Sequence, residues 1–190
     1  CRLHQESGRH HFMTQRFERT VDGKKIHMLS LAALRHFDYN DPSSYSYEQA
    51  IETIRKISAN PSQDFEQQFL RTVFNVVARN QDDHVKNIAF LMQPDGSWRL
   101  SPAFDLTYSY NPQGSYTGRH QMSLNGKREN FQFTDFQAVA KASDIKAKRM
   151  ALLINQVIAS IHRWEDFSSA AGVQEESIGK IKKAHRLDIT

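Results

Sequence analysis

Apolar residues recur along most of this chain at helix spacing, and short runs of strand-like character interrupt them in two places. From about Tyr45, the residues Tyr47, Ile51, Ile54 and Ile57 fall on one stripe beside Glu48, Glu52 and Arg55, which predicts a helix that stops near Ser58. Asn60-Pro61-Ser62-Gln63 then supplies an N-cap, a proline suited to the first helical position and a glutamine three residues after the cap. Behind it, Phe65, Phe69, Val73 and Val76, flanked by Leu70, Phe74 and Val77, make an apolar face wide enough for the middle of a bundle, ending near Arg79-Asn80. Further on, Thr134-Asp135-Phe136-Gln137 resembles a capping box. Leu153, Val157, Ile161 and Trp164 repeat at helical intervals with Ile154 and Ile158 beside them, and Ile178, Ile181 and Ala184 predict a last amphipathic helix.

Two stretches read differently. Residues 11–19 and 25–29 flank Asp22-Gly23, a turn dipeptide, and predict a hairpin over 11–29. Ile88-Ala89-Phe90-Leu91-Met92 and Trp98-Arg99-Leu100 flank the turn chemistry of Pro94-Asp95-Gly96-Ser97 and predict a second. No repeat, low-complexity tract or linker divides the chain. The expected fold is mostly α with small β-hairpins, in one domain over residues 1–190.

Composition narrows the function classes. At 190 residues, 39% hydrophobic and 24% charged, the chain can bury roughly 70% of the surface its unfolded form exposes. No apolar run approaches the ~20 residues that cross a bilayer, and the opening Cys1-Arg2-Leu3-His4 lacks the layout of a secretory signal. The single cysteine, Cys1, excludes an internal disulfide and a multi-cysteine zinc site, so a cytoplasmic location without membrane contact is expected. A first residue other than Met suggests a piece of a longer polypeptide. The net charge of +4 permits a polyanionic partner without choosing one.

Asn80-Gln81-Asp82-Asp83-His84-Val85-Lys86-Asn87 packs two carboxylates, an imidazole, an ammonium and three amides between a buried helix and a buried strand. A solvated, capped loop would explain an arbitrary polar octapeptide; its position argues otherwise. A hairpin returns the chain to its starting end, so Asn87, entering the first strand, and Asp105, after the second, belong at the same end. Oxygen ligands from Asn87 and Asp105 suit Mg²⁺, which takes one or two protein carboxylates plus phosphate and water. Asp82 is then free to accept a proton from an attacking hydroxyl. The order of base Asp, Asn five residues later and a further Asp after the next hairpin is that of the protein-kinase template, but no His-Arg pair precedes Asp82, and Leu106-Thr107 follows Asp105 in place of Phe-Gly. Two other readings stay open: a metal-dependent phosphoesterase or nuclease whose Asp82, Asp83, His84 and Asp105 hold two ions, and a non-catalytic binding module.

The stretches Arg16-Phe17-Glu18-Arg19, Asp82-Asp83-His84-Val85-Lys86-Asn87 and Leu100-Ser101-Pro102-Ala103-Phe104-Asp105-Leu106 resemble the bacterial HipA-like serine/threonine kinases, toxins of toxin–antitoxin pairs. Met122-Ser123-Leu124-Asn125-Gly126-Lys127 and the helix entry at Ser46-Tyr47 are similar too. The resemblance implies a protein-kinase-like, helical C-terminal lobe that transfers the ATP γ-phosphoryl to a protein serine or threonine. Asp82 would be the base, Asn87 and Asp105 the Mg²⁺ ligands, and His84 would lie near the transferring phosphate. Backbone groups of Gln15 and Phe17 would bind the adenine edge at a hinge within residues 11–29. It also implies a small DNA-binding, HipB-like antitoxin as partner, and an N-terminal lobe absent from this chain. Only Gly8 and Gly23 precede Gly96, so no glycine-rich phosphate loop is present and the piece alone is expected to be a poor kinase.

Weaker signals stay with plainer explanations. His10-His11 lacks a third ligand at chelating spacing. Lys146, Lys148 and Arg149, and later Lys180, Lys182, Lys183 and Arg186, fit solvated helix faces. Tyr108, Tyr110 and Tyr116 suit a substrate-facing loop and a packed loop equally.

Overall fold

The computed structural model describes residues 1–42 and 44–189. Local chemistry sets the first long helices. Ser46 and Gln49 satisfy each other's backbone N–H groups at the start of α2 (Tyr47–Ile57), and Asn60 caps α3 (Pro61–Val77), with proline in its first turn. α3 is the central element: Phe65, Phe69, Val73, Val76 and Val77 are buried against α2, α4 (Phe133–Ala142) and α5 (Ala147–His162). These helices contribute Ile51 and Ile54, Phe136 and Val139, and Leu153 and Ile154 to one core. α6 (Trp164–Ala170) and α7 (Glu175–Ala184) pair outside it, where the Trp164 indole N–H donates to the Ile178 carbonyl at 3.1 Å.

Among the described residues there are seven helices and small antiparallel sheets. The second expected hairpin forms as β4 (Ala89–Met92) and β5 (Trp98–Leu100), and β3 (His27–Ser30) adds to the other edge of β4 in the order β3-β4-β5. A five-residue helix, α1 (Leu31–Arg35), follows β3 directly, capped by Ser30.

The hairpin expected over 11–29 is corrected. Residues Arg9–Met13 (β2) pair with Arg2–Glu6 (β1), and β3 pairs with β4. Ser7 and Gly8 both have positive φ, 49° and 74°, and two such residues make the turn whose twist matches antiparallel strands. Asp22-Gly23 does turn the chain, with Gly23 at φ 82°, but the ladder around it stops at a single bridge between Arg19 and Lys25. Buried β4 offers β3 a partner that an exposed ladder cannot match. Two boundaries also move. α4 starts earlier than the Thr134 motif implied, because the Asp135 carboxylate reaches back to the Gln132 N–H at 2.8 Å. Trp164 begins α6 rather than ending α5, after the backbone departs from helix at Arg163.

Candidate functional site

The polar loop is anchored at both ends by backbone. At the end of α3, Arg79 takes a left-handed conformation (φ 61°), and the Asn80 N–H reaches back to the Asn75 carbonyl at 2.9 Å. Downstream, Val85 and Ile88 are buried, and their carbonyls accept from the Ala32 and Leu31 N–H groups at 3.2 and 2.7 Å. These are first-turn donors of α1 that lack partners within their own helix, so the helix start and the loop hold each other.

Side chains in the loop divide sharply by burial. The Asp82 side chain is 49% exposed, with Oδ1 3.8 Å from His84 Nε2. Asp83 is buried: Tyr47 donates to its Oδ2 at 2.5 Å, His120 Nδ1 lies 2.8 Å from the same oxygen, and the Gln121 N–H donates to Oδ1 at 2.7 Å. Burial pushes the Asp83 carboxyl up, but the charge and hydrogen bond of His120, with the bonds from Tyr47 and Gln121, outweigh it and hold the group below the ordinary carboxylate range. Burial, reinforced by the Asp83 charge, raises the Tyr47 hydroxyl well above its usual value. Asn87 donates through Nδ2 to the Asp82 carbonyl at 3.1 Å, which leaves its Oδ1 as the side chain's remaining acceptor.

The β4–β5 hairpin returns the chain beside this loop. Ser101 N–H bonds the Ala89 carbonyl at 2.8 Å, its own carbonyl accepts from buried Arg71 Nη2 at 2.5 Å, and Ser109 N–H bonds the Arg79 carbonyl at 3.1 Å. Desolvation pushes the Arg71 guanidinium down to about 10. Asp105, at the turn of this segment, has φ 54°, and its carbonyl accepts from Asn80 Nδ2 at 3.4 Å. Its exposed carboxylate has no hydrogen-bond or ion-pair partner among the described residues.

His84, Asn87 and Asp105 therefore line one small cavity, whose wall also includes Asn80 and Asp83. Asp82 is not in that wall; it connects to it through His84 and through the bond from Asn87 to its carbonyl. On the other side of the Asp105 segment lies a cleft of about 490 Å³, where Gln15 and Phe17 face Phe104, Asp105 and Leu106. The Phe17 and Phe104 rings are 5.7 Å apart. The two-ion arrangement of Asp82, Asp83, His84 and Asp105 is not formed. Asp83 spends both oxygens on internal donors, and no group of three or more His, Cys, Asp or Glu side chains is placed to hold a metal among the described residues. In the following loop, Tyr108 and Tyr110 are half-buried, with Arg79 over the Tyr110 ring, whereas Tyr116 is 74% exposed.

Sequence reasoning missed the supports: Asp83 as an internal acceptor, Tyr47, Asn75, Asn80, Ser109 and His120. Tyr47 read as one position of an apolar stripe and as part of the Ser46-Tyr47 helix entry, neither of which points to its hydroxyl. Asn75 offered one signal, a polar residue beside the apolar face of α3.

Comparison with known proteins gives the same chain order a family. The model of the HipA-like C-terminal domain matches residues 1–165. No curated protein matches. Among solved structures, HipA of Shewanella oneidensis MR-1, from a toxin–antitoxin complex of HipA, HipB and operator DNA, matches with a TM-score of 0.68 at 15% identity. The match covers 89% of this chain and 45% of that chain, so this chain spans less than half of the HipA it resembles, and at this identity the likeness concerns the fold. With 165 of its 190 residues matched by the family model, the chain belongs to the HipA-like C-terminal domain family.

Proposed function

We propose that this chain is the catalytic, kinase-like half of an ATP-dependent serine/threonine protein kinase of HipA type. The observation that carries the reading is the junction at Asp105: one side borders the cavity of His84 and Asn87, the other the cleft of Gln15 and Phe17. The cleft has apolar walls at Phe17, Phe104 and Leu106, suited to a planar base, and main-chain groups of Gln15 and Phe17 to meet its edge. The donor set beyond it fits Mg²⁺: Asn87 Oδ1, on an amide whose Nδ2 bonds the Asp82 carbonyl, and the unpartnered Asp105 carboxylate are hard oxygen ligands. Bound there, the ion would neutralise charge on the nucleotide phosphates. His84 would donate towards the transferring phosphoryl. Asp82, half-exposed beside it, would accept the proton of a serine or threonine hydroxyl as that oxygen bonds to phosphorus and ADP leaves.

The remaining cleft wall would come from an N-terminal lobe elsewhere in the polypeptide, in keeping with the 45% coverage of the Shewanella protein. A HipB-like, DNA-binding antitoxin is proposed as partner because that HipA is found with HipB and operator DNA. A cytoplasmic site of action is proposed with it; no helix among the described residues is long and apolar enough to cross a membrane.

The test uses the complete natural polypeptide, labelled ATP and Mg²⁺, comparing the parent with Asp82→Gln and Asp105→Asn. Protein labelling is expected to fall to background in both while circular dichroism stays that of the parent. Labelling that survives in both variants rejects the assignment.

A further inference from the structure

The hydrogen bonds behind the polar loop close into a ring. The Asp82 N–H donates to Ser109 Oγ (3.0 Å), the Ser109 hydroxyl to Asn80 Oδ1 (3.0 Å), and Asn80 Nδ2 to Asn75 Oδ1 (3.0 Å). Asn75 Nδ2 then donates to the Tyr47 hydroxyl oxygen (3.0 Å), and that hydroxyl to Asp83 (2.5 Å). Asp83 is the residue after Asp82, so the peptide between them completes the circuit.

Every donor points the same way around this ring, from a backbone N–H to a carboxylate that, ionised, only accepts. In a head-to-tail chain each bond polarises the next. A carboxylate is also the one terminus that needs no further donor site, and its second oxygen is held by the Gln121 N–H. Tyr47, Asn75, Asn80 and Asp83 are all buried, so the circuit is shielded from competing water. It branches at two side chains: Asn80 Nδ2 also reaches the Asp105 carbonyl at 3.4 Å, and His120 Nδ1 lies 2.8 Å from the Asp83 oxygen that Tyr47 bonds. Through Ser109 and Asn80 the ring bonds the backbone of both acids that the phosphotransfer reading needs, the Asp82 N–H and the Asp105 carbonyl.

We propose that this ring is a positioning device, in which Tyr47, Asn75, Asn80, Ser109 and Asp83 fix the peptide that carries Asp82 and, through Asn80, the turn that carries Asp105. The proposal rests on the reading of Asp82 as base; the ring itself does not. None of the five is given a chemical role in the transfer, although Tyr47, Asn75, Asn80 and Asp83 also border the cavity of His84, Asn87 and Asp105. They act by holding Asp82 in one direction, so breaking any bond should loosen the same peptide.

Tyr47→Phe and Ser109→Ala each delete one hydroxyl with little change of shape. In the complete polypeptide, each is expected to lower kcat on the order of 10- to 100-fold and leave the nucleotide KM within about twofold. Amide exchange at Asp82, followed by NMR, should accelerate in both. Because one break opens the ring, the double variant should be no slower than the worse single. Ser109→Ala lies outside the helices at a half-buried position and keeps the test open should Tyr47→Phe fail to fold. Unchanged Asp82 exchange in a folded variant overturns the proposal, as do kcat losses of Tyr47→Phe and Ser109→Ala that multiply in the double variant. If Asp82→Gln labels as well as the parent, the phosphotransfer reading falls by itself, and the exchange measurement still decides whether the ring holds the peptide.

Discussion

In β1 and β2 every residue is exposed, whereas α3 buries ten of its seventeen, and the two halves of the proposed cleft inherit that difference. The half with Asn87 and Asp105 rests on α3 and on a buried circuit of hydrogen bonds, which lets little of it move without breaking packed contacts. The half with Gln15 and Phe17 follows a hairpin that has no core of its own, with Leu3, Phe12 and Met13 facing solvent. Two strands alone are marginally stable in water. Electrostatic positioning is therefore built into one wall, while the wall that would grip the base has few internal contacts to set its place. The comparison predicts that stability and nucleotide binding can be separated by where the chain is altered.

The largest effect should come from the core of the anchored half. Phe69 on α3 has no exposed surface, and Phe69→Ala removes a full aromatic side chain from between helices, which should cost about 3–5 kcal/mol. Urea denaturation of the chain followed by far-UV circular dichroism measures it; a loss below about 1 kcal/mol would mean that α3 is not the central support. Acid should come next. Asp64 is buried, and burial raises its carboxyl, but bonds from Arg99, the Leu100 N–H and Ser58 bring it below the usual range; Asp83 is depressed in the same direction. A carboxyl that is more acidic folded than unfolded binds fewer protons in the folded state, so its stabilisation is complete above the unfolded value of about 4. That contribution disappears as pH falls through the lower folded values. The denaturation midpoint should hold level from neutral pH and then drop below about pH 4, with a shallower drop in Asp83→Asn, which is destabilised already at neutral pH. An acid limb of identical steepness in that variant would remove Asp83 from the account.

What was legible in the sequence follows the range of the interactions involved. α2 and α3 could be placed to within a residue or two because their caps, Ser46 with Gln49 and Asn60 with Pro61, act within one turn. The β4–β5 hairpin was legible for the same reason, and with it the return of Asp105 towards Asn87. The partner of β3 was not, since residues 27–30 choose β4 across more than fifty positions by burial rather than by the nearby Asp22-Gly23 turn. Neither was the ring, nor the His120 contact beside it: Ser109 and His120 lie in a stretch without regular structure, and nothing local marks them as neighbours of Asp82 and Asp83. Gln15 and Phe17 were singled out only through family resemblance, because a contact made by backbone leaves no trace in side-chain identity.

The smallest change in stability should come from the exposed half, at a residue that nonetheless borders the cleft. Phe12 is 70% exposed and lines the same cleft as Gln15 and Phe17. Removing its ring takes almost nothing out of the core, so Phe12→Ala should leave the denaturation midpoint within about 0.5 kcal/mol of the parent. A base lying in the cleft would lose an aromatic neighbour, and Mg²⁺–ATP affinity in the complete polypeptide should fall about 2- to 10-fold, the range of one aromatic contact. Isothermal titration calorimetry reads the second quantity and chemical denaturation the first. If Phe12→Ala unfolds the chain, the hairpin is a structural support and the contrast between the two halves fails. If affinity is untouched while Phe69→Ala destabilises as expected, the contrast stands and the base lies elsewhere in the cleft than beside Phe12.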